Sequence, residues 1–227
     1  MNPSDLEEST TDTSTPGVGT PGMGGVVNFL RTRPWARRLL SGLSVLLLMG
    51  AVGMLGYPFY TNLYQNRIQD KLDTQLQSEE IKQAYRDRAV KTGDSLTRIK
   101  IPAIDVDVVV VEGTTASALK AGAGHYPSTP LPCEIGNVGI AGHRTTYGRP
   151  FHNLDRLKPG DEIILETPLG SCSYKIDRDP FVVPPTDFSV VDPTDTATLT
   201  LTTCEPKGSA ARRLIVKASF KGAVTQT

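Results

Sequence analysis

Cys204 and Arg213 lie on either side of a turn that joins two apolar segments of the chain. The first segment, TLTLTTC, begins at Thr198 and alternates apolar and polar residues, which is the period of a half-buried strand. The second begins at Arg213 and continues as Leu-Ile-Val, after a turn that contains Pro and Gly. If these strands pair, a thiol lies beside a guanidinium. That combination suits a nucleophile with a neighbouring group that stabilises an oxyanion.

A histidine further upstream could complete this chemistry. His143 follows a short apolar segment, Val138 to Ile140, and nearby glycines allow the backbone to pass closely. Cys204, His143 and Arg213 would then all lie at strand ends, where rigid scaffolds commonly carry functional groups.

Each residue type also has an ordinary structural interpretation. A single cysteine is commonly a small buried hydrophobic residue, an arginine at a strand start a surface residue, and a histidine a hydrogen-bonded structural residue. The three types in this order nevertheless favour a site for nucleophilic catalysis over three unrelated structural roles.

The elements that must position these residues are short strands. From Leu96 onward, alternating segments are separated by turns rich in Pro and Gly, with one brief helix predicted at Ala116–Ala121. The predicted strands are Leu96–Ile101, Val106–Glu112, Asn137–Ala141, Asp161–Glu166, Cys172–Asp177, Phe181–Val183, Thr198–Thr203 and Arg213–Ser219. This pattern predicts a mainly β fold, an eight-stranded closed or nearly closed β-barrel with short helices. A β-sandwich is the alternative that the pattern leaves open.

The N-terminal region is organised differently. Residues 1–30 are rich in Ser, Thr, Pro and Gly and predict a disordered cytoplasmic tail. Residues 31–60 hold an arginine-rich flank and an uncharged stretch, Leu39 to Phe59, which as a helix of about 30 Å matches the core of a bilayer. The arginines predict a single-pass transmembrane anchor with its N-terminus in the cytoplasm and the rest of the chain outside. A signal peptide cleaved near Ala51-Val52-Gly53 is the alternative.

The remaining boundaries follow from the same patterns. Residues 61–94 predict a helical stalk or linker, residues 95–222 the barrel, and residues 223–227 a short tail. The chain has 24 basic and 24 acidic residues, and this balance argues against a nucleic acid as partner. The lipid bilayer is the partner predicted for the anchor.

Two segments carry a resemblance to a known family. AGHRTTYGRPF, from Ala141 to Phe151, and LTLTTC, which ends at Cys204 and is followed by Arg-Leu-Ile-Val, resemble the sortases, the cysteine transpeptidases of Gram-positive cell surfaces. The resemblance extends over about Ser95 to Phe220, and its motifs are most similar to class E sortases of actinobacteria. It implies the same eight-stranded barrel.

The resemblance also implies a role for each residue. Cys204 would attack the carbonyl of a Thr-Gly bond in a C-terminal LPXTG- or LAXTG-like sorting signal and form a thioacyl intermediate. His143 would protonate the leaving amine and then deprotonate the amine of a cell-wall precursor, the second partner. Arg213 would bind the substrate or the oxyanion. The family further implies that a minority thiolate–imidazolium pair is the active form.

Three further residues are candidates for contacts with the sorting signal. Thr203 precedes the nucleophile and could offer a hydroxyl or a backbone donor. His125 and Tyr126 lie in the loop before the His143 strand, where sortases place part of the substrate groove. For Tyr126, ordinary packing is the alternative.

No cofactor and no metal site are predicted. The histidines and cysteines have no short ligand spacing. Some sortases bind calcium through acidic residues in the loop before the histidine strand, but this loop, residues 122–136, holds only Glu134.

Besides Cys204, the chain contains Cys133 and Cys172. A location outside the cell would permit a disulfide between them that leaves Cys204 free. Two separate thiols are the alternative that the sequence leaves open.

The sequence thus predicts a membrane-anchored cysteine transpeptidase for proteins that carry a sorting signal. A pilin-polymerising sortase is one alternative, although Asp179-Pro180-Phe181, which resembles the lid tripeptide of such enzymes, lies between late strands instead of before the barrel. A barrel that binds a wall protein without catalysis is a second possibility, and a thiol hydrolase with the same acyl intermediate is a third.

Overall fold

The structure is a computed structural model that describes residues 34–224. The predicted cytoplasmic tail, residues 1–30, and the last three residues of the chain lie outside this range. The described residues divide between two compact units, one ending at Leu55 and one beginning at Gly56.

The first unit consists of helical residues with one long apolar segment. They belong to helix α1, Pro34–Leu76. Within it, Arg37–Leu55 has a mean hydropathy of 1.8 over 19 residues, which is long and apolar enough to cross a bilayer. Pro58 is the first proline in the interior of the helix, and within Arg37–Leu55 apolar side chains lie on all faces, which is typical of a membrane span.

In the second unit, the end of α1 and the short helix α2, Glu79–Arg86, form the predicted stalk. The Ser78 side chain caps α2 by accepting a hydrogen bond from the backbone of Ile81. Leu72 and Leu76 are buried in a small apolar cluster with Val109, Val111 and Ala118. The stalk therefore packs on the strands instead of projecting freely.

Nine strands and one further helix follow. The strands are β1 Ser95–Ile101, β2 Val106–Glu112, β3 Ala123–His125, β4 Asn137–Ala141, β5 Glu162–Thr167, β6 Gly170–Ile176, β7 Phe181–Val183, β8 Thr198–Glu205 and β9 Arg212–Val224. Helix α3 is Ala116–Ala121, and the single-turn 3-10 helices are Pro102–Ile104, Leu154–Arg156 and Ser189–Val191. Strand β9 thus extends into the predicted C-terminal tail.

Eight of these strands close into a barrel, as predicted. Their order is β6-β5-β1-β2-β3-β4-β8-β9, and pairing of β6 with β9 closes the ring. The short strand β7 lies outside the ring, hydrogen-bonded to the start of β9. A β-sandwich is therefore excluded.

Two of the strands differ from the prediction in whether they belong to the barrel. The sequence pattern predicts β7 as a barrel strand and a loop in place of β3. The three residues of β3 are too short for an alternating pattern, and they become a strand because they pair in parallel with β2 and antiparallel with β4. Tertiary pairing, not local propensity, creates this strand.

The main apolar core fills the inside of the barrel. Alternate residues of the central strands point inward, among them Ile140 of β4, Leu201 of β8 and Val216 of β9. The residues between them face the outer surface, where β4, β8 and β9 lie side by side.

A disulfide joins Cys133, in the loop between β3 and β4, to Cys172 on β6, with their Cα atoms 5.8 Å apart. The Tyr174 hydroxyl accepts a hydrogen bond from the Cys133 backbone at 3.1 Å, so the same loop is held to β6 twice. The bridge leaves Cys204 as the free thiol of the chain.

Removal of this disulfide should destabilise the barrel without touching Cys204. The bridged cysteines are 39 residues apart in sequence. A loop of that size predicts a loss of about 4 kcal/mol in the free energy of unfolding when both cysteines become alanine. Urea titration of residues 62–227 in non-reducing buffer measures this loss. The matched control, Cys204→Ala, should stay within about 1 kcal/mol of the wild type, and an equally small effect of the double variant would contradict the prediction.

Candidate active site

Cys204 and Arg213 face each other directly across two antiparallel strands. The register of β8 and β9 pairs these two residues. Side chains that oppose each other in this way point to the same face, with Cβ atoms about 5 Å apart. The structure thus has the thiol beside the guanidinium-bearing residue, as the sequence pattern predicts.

His143 comes to the same end of β8 from the other side. Strand β4 runs parallel to β8 with Ala141 opposite Thr202. Beyond β4 the backbone N–H of Gly142 donates to the Thr202 carbonyl at 3.0 Å. His143 directly follows Gly142 and therefore lies at the end of β8 that carries Cys204.

Thr203 fixes the backbone just before His143 against β8. Its side chain is buried, and its hydroxyl donates to the Gly142 carbonyl at 2.7 Å. A Cβ at Gly142 would lie 2.5 Å from the Phe151 ring, so this passage requires glycine. The Thr203 hydroxyl, one of the two groups predicted to contact substrate, thus donates to the backbone just before His143.

The imidazole of His143 is half-buried, and burial lowers its pKa from the ordinary value of 6.5. The Tyr147 ring lies beside it, with ring centroids 5.1 Å apart in a tilted arrangement. The neutral imidazole is therefore the main form at pH 7.

The guanidinium of Arg213 remains free to bind an anion. It donates to the backbone carbonyls of Ala210 and Arg212, both at 3.0 Å. Within residues 34–224 it forms no ion pair with a carboxylate. Its positive charge is therefore not neutralised by a side-chain partner and can interact with a developing oxyanion.

Tyr126 lies on the same outer surface. Its hydroxyl shares a 3.0 Å hydrogen bond with the Thr202 hydroxyl, and Thr202 is on the same face of β8 as Cys204. Tyr126 is only partly buried, so the side chain lines the surface that leads to the cysteine.

The ring of His125, a candidate for contact with the sorting signal, is buried at 1% exposure. Its Nδ1 lies 2.8 Å from the Glu112 carboxylate, and its Nε2 lies 2.9 Å from the Pro130 carbonyl. Both ring nitrogens thus connect β2 and β3 to the loop before β4. Strand β3 has three residues, too few to show an alternating apolar pattern. The sequence pattern therefore does not identify His125 as a strand residue.

Sequence reasoning missed Arg144, whose side chain is also buried. The guanidinium donates to the Cys204 carbonyl at 3.2 Å and pairs with the Glu205 and Asp155 carboxylates. The sequence signal for Arg144 is its position next to His143. Its burial is not predicted by the sequence, because an arginine in a loop is ordinarily exposed.

The part of the chain that the structure describes contains no group of three or more His, Cys, Asp or Glu side chains that could hold a metal ion. The groups at this end of β8 are a thiol, an imidazole and a guanidinium.

The chain matches a known family model and several known proteins. Residues 99–221 match the family model described as the sortase domain. The chain is 34% identical to sortase SrtE1 of Streptomyces coelicolor over 139 residues, which cover 55% of this chain and 40% of the relative. It is 33% identical to sortase D of Bacillus subtilis over 138 residues, 56% of this chain and 64% of the relative.

Among solved structures, a sortase D5 transpeptidase of Clostridium perfringens superimposes with a TM-score of 0.61 at 35% identity, covering 70% of this chain and 98% of that one. The chain spans less than two thirds of the length of either curated relative. The family match covers more than half of the chain, and relatives of class E are among its homologues. This protein therefore belongs to the sortase family, whose members are cysteine transpeptidases.

Proposed function

We propose that this chain is a membrane-anchored transpeptidase that cleaves a C-terminal LPXTG- or LAXTG-like sorting signal between Thr and Gly. It transfers the protein so released to an amine of a cell-wall precursor. The observation that carries the proposal is the cross-strand pairing of Cys204 with Arg213, with His143 brought to the same end of β8.

In the first half-reaction the Cys204 sulfur attacks the threonine carbonyl carbon, and a C–S bond forms. Negative charge develops on the carbonyl oxygen, and Arg213 stabilises it. His143 as imidazolium gives its proton to the glycine nitrogen, and the C–N bond breaks. The product is a thioester between the sorting-signal protein and Cys204.

In the second half-reaction an amine attacks the thioester carbonyl. Neutral His143 removes a proton from the attacking nitrogen, and the C–S bond breaks to return Cys204 as thiolate. Because burial lowers the pKa of His143, the imidazolium needed in the first half-reaction is a minority form at pH 7. This supports a thiolate–imidazolium pair as the rare active state.

Tyr126 is the residue that we assign to recognition of the second position of the signal. Its ring lies on the surface that leads to Cys204, and its hydroxyl is anchored to Thr202.

The anchor segment, Arg37–Leu55, supports a location at the cell membrane. Arginines at its N-terminal end favour a cytoplasmic N-terminus. The disulfide between Cys133 and Cys172 is consistent with a barrel outside the cell, because disulfides persist in oxidising compartments.

Cys204→Ala should abolish acyl-enzyme formation, because the thioester cannot form without the sulfur. LAXTG and LPXTG peptides are presented to the wild type and the variant, and the covalent adduct is detected by intact mass. The control is the Cys133→Ala/Cys172→Ala variant, which keeps the nucleophile and should still form the adduct. A wild type that binds the peptides but forms no adduct would instead indicate a non-catalytic barrel.

Adding primary amines to the same assay separates a transpeptidase from a hydrolase. A transpeptidase should give mainly ligated product at millimolar amine, because the amine competes with water for the thioester. Product masses with and without amine measure this ratio. If only hydrolysed peptide is found with every amine tested, glycine oligomers and diamino acids included, the protein is a thiol hydrolase.

Arg213→Met should lower the acylation rate by about 100-fold, the usual effect of losing one oxyanion donor. Arg212→Met is a matched control, because this arginine is adjacent, exposed and opposite Glu205 instead of Cys204. Single-turnover acylation rates measure both variants. Equal rates for the two variants would remove Arg213 from the mechanism.

The His143 imidazole should titrate with a midpoint below 6.5, because burial disfavours its charged form. NMR titration of labelled histidine measures this midpoint, and His143→Gln assigns the signal. In Cys204→Ala the midpoint should stay low, since no thiolate is then present to favour the imidazolium. A midpoint at or above 6.5 in that variant would contradict the burial argument.

A further inference from the structure

Arg144 is a buried charged residue that directly follows His143, and only 4% of it is exposed. A guanidinium in such surroundings needs several hydrogen-bond acceptors, because an unpaired buried charge strongly destabilises a fold. The position of those acceptors shows what the side chain holds together.

Two of the acceptors belong to the strand that carries the nucleophile. The Arg144 Nη1 donates to the backbone carbonyl of Cys204 at 3.2 Å and to the Glu205 carboxylate. The Nη2 lies 3.0 Å from the Asp155 carboxylate, on the 3-10 helix that follows the His143 loop. The Arg144 guanidinium thus connects the main chain of Cys204 to Asp155, on the 3-10 helix after the His143 loop.

The backbone of the same segment is held independently. The Arg144 carbonyl accepts a hydrogen bond from His152 Nδ1 at 2.8 Å, and the His143 carbonyl accepts one from the Phe151 backbone at 3.1 Å. The loop from 143 to 152 is therefore closed on itself. The Arg144 side chain adds a connection between this loop and β8 beyond the two hydrogen bonds at Gly142.

The network is not arranged for stability alone. The Arg144 Nε is buried without a hydrogen-bond partner in the described part of the chain, and such a donor destabilises the folded state. Buried ion networks can often be replaced by apolar side chains with little loss of stability. If the only role of this position were to stabilise the fold, a buried arginine with an unpaired donor would not be needed there.

We propose that Arg144 is a positioning residue that holds the His143 loop against β8, so that imidazole and thiol keep a fixed distance. The inference rests on the proposed transpeptidase function. Among the described residues, the Arg144 side chain hydrogen-bonds to the Cys204 carbonyl and pairs with two carboxylates, so it acts through the placement of His143 and Cys204 and not on the substrate.

The test compares Arg144→Met and Arg144→Lys with the wild type, using the full chain in detergent. Arg156→Met is the matched control, because Arg156 is exposed on the neighbouring 3-10 helix. Acylation by an LAXTG peptide gives kcat and KM, and thermal unfolding reports whether each variant folds. The rate of Cys204 alkylation by iodoacetamide against pH reports the thiol–imidazole pair without any peptide.

For Arg144→Met we expect kcat of acylation to fall about 100-fold with KM changed less than about threefold, since small displacements of reacting groups have effects of this size. The alkylation profile should shift towards that of His143→Gln. Arg144→Lys should restore part of the rate, because an ammonium can still donate to the Cys204 carbonyl. Arg156→Met should match the wild type in every measurement.

A folded Arg144→Met that acylates within threefold of the wild type would overturn the proposal. If that variant does not fold, Asp155→Ala takes its place, because it removes one acceptor of the Arg144 guanidinium and keeps the guanidinium itself. A tenfold loss is then expected, and an unchanged rate overturns the proposal.

If the wild type forms no acyl-enzyme, the proposed function fails, and the alkylation profiles still decide the role of Arg144. A profile of Arg144→Met that shifts with that of His143→Gln supports the positioning role. A profile identical to the wild type, or an unchanged profile in His143→Gln itself, overturns it.

Discussion

Strand β8 is hydrogen-bonded in parallel to β4 on one side and antiparallel to β9 on the other, and these two registers determine the site. One places Cys204 opposite Arg213, and the other brings His143 to the same end of the strand. A slip of one residue in either pairing would turn a side chain to the opposite face. Closure of the barrel prevents such slips, because every strand of the ring is paired on both sides.

The outer surface at β4 and β8 is held by contacts that lie away from the reacting groups. The loop between β3 and β4 is attached to β6 by the disulfide and to α2 by the Tyr85 hydroxyl, which donates to the Pro132 carbonyl at 3.1 Å. His125 fixes the start of the same loop through both ring nitrogens. These contacts support Tyr126 at the edge of the surface, and pre-ordering of this kind lowers the entropic penalty of binding a flexible peptide.

Arg144 donates to the Cys204 carbonyl and Arg213 lies opposite Cys204 in the strand register, and the two guanidinium groups have different surroundings. Arg144 is buried against the carboxylates of Glu205 and Asp155, so much of its charge is neutralised, and geometry is its main contribution. Among residues 34–224, the Arg213 guanidinium donates to backbone carbonyls and forms no ion pair, so its positive charge is not neutralised by a carboxylate.

Local pattern in the sequence determined the strands with regular alternation, the apolar helix, and the residue types of the nucleophile, proton carrier and cation. Strands β2, β4 and β7 have the predicted bounds, because alternation and turn residues are local properties. Tertiary structure alone decided β3, the burial of His125, the binding of the Thr203 hydroxyl to backbone, and the disulfide. It also turned Arg144 inward, because whether an arginine is buried depends on carboxylates that are remote in sequence and meet it only after the barrel closes.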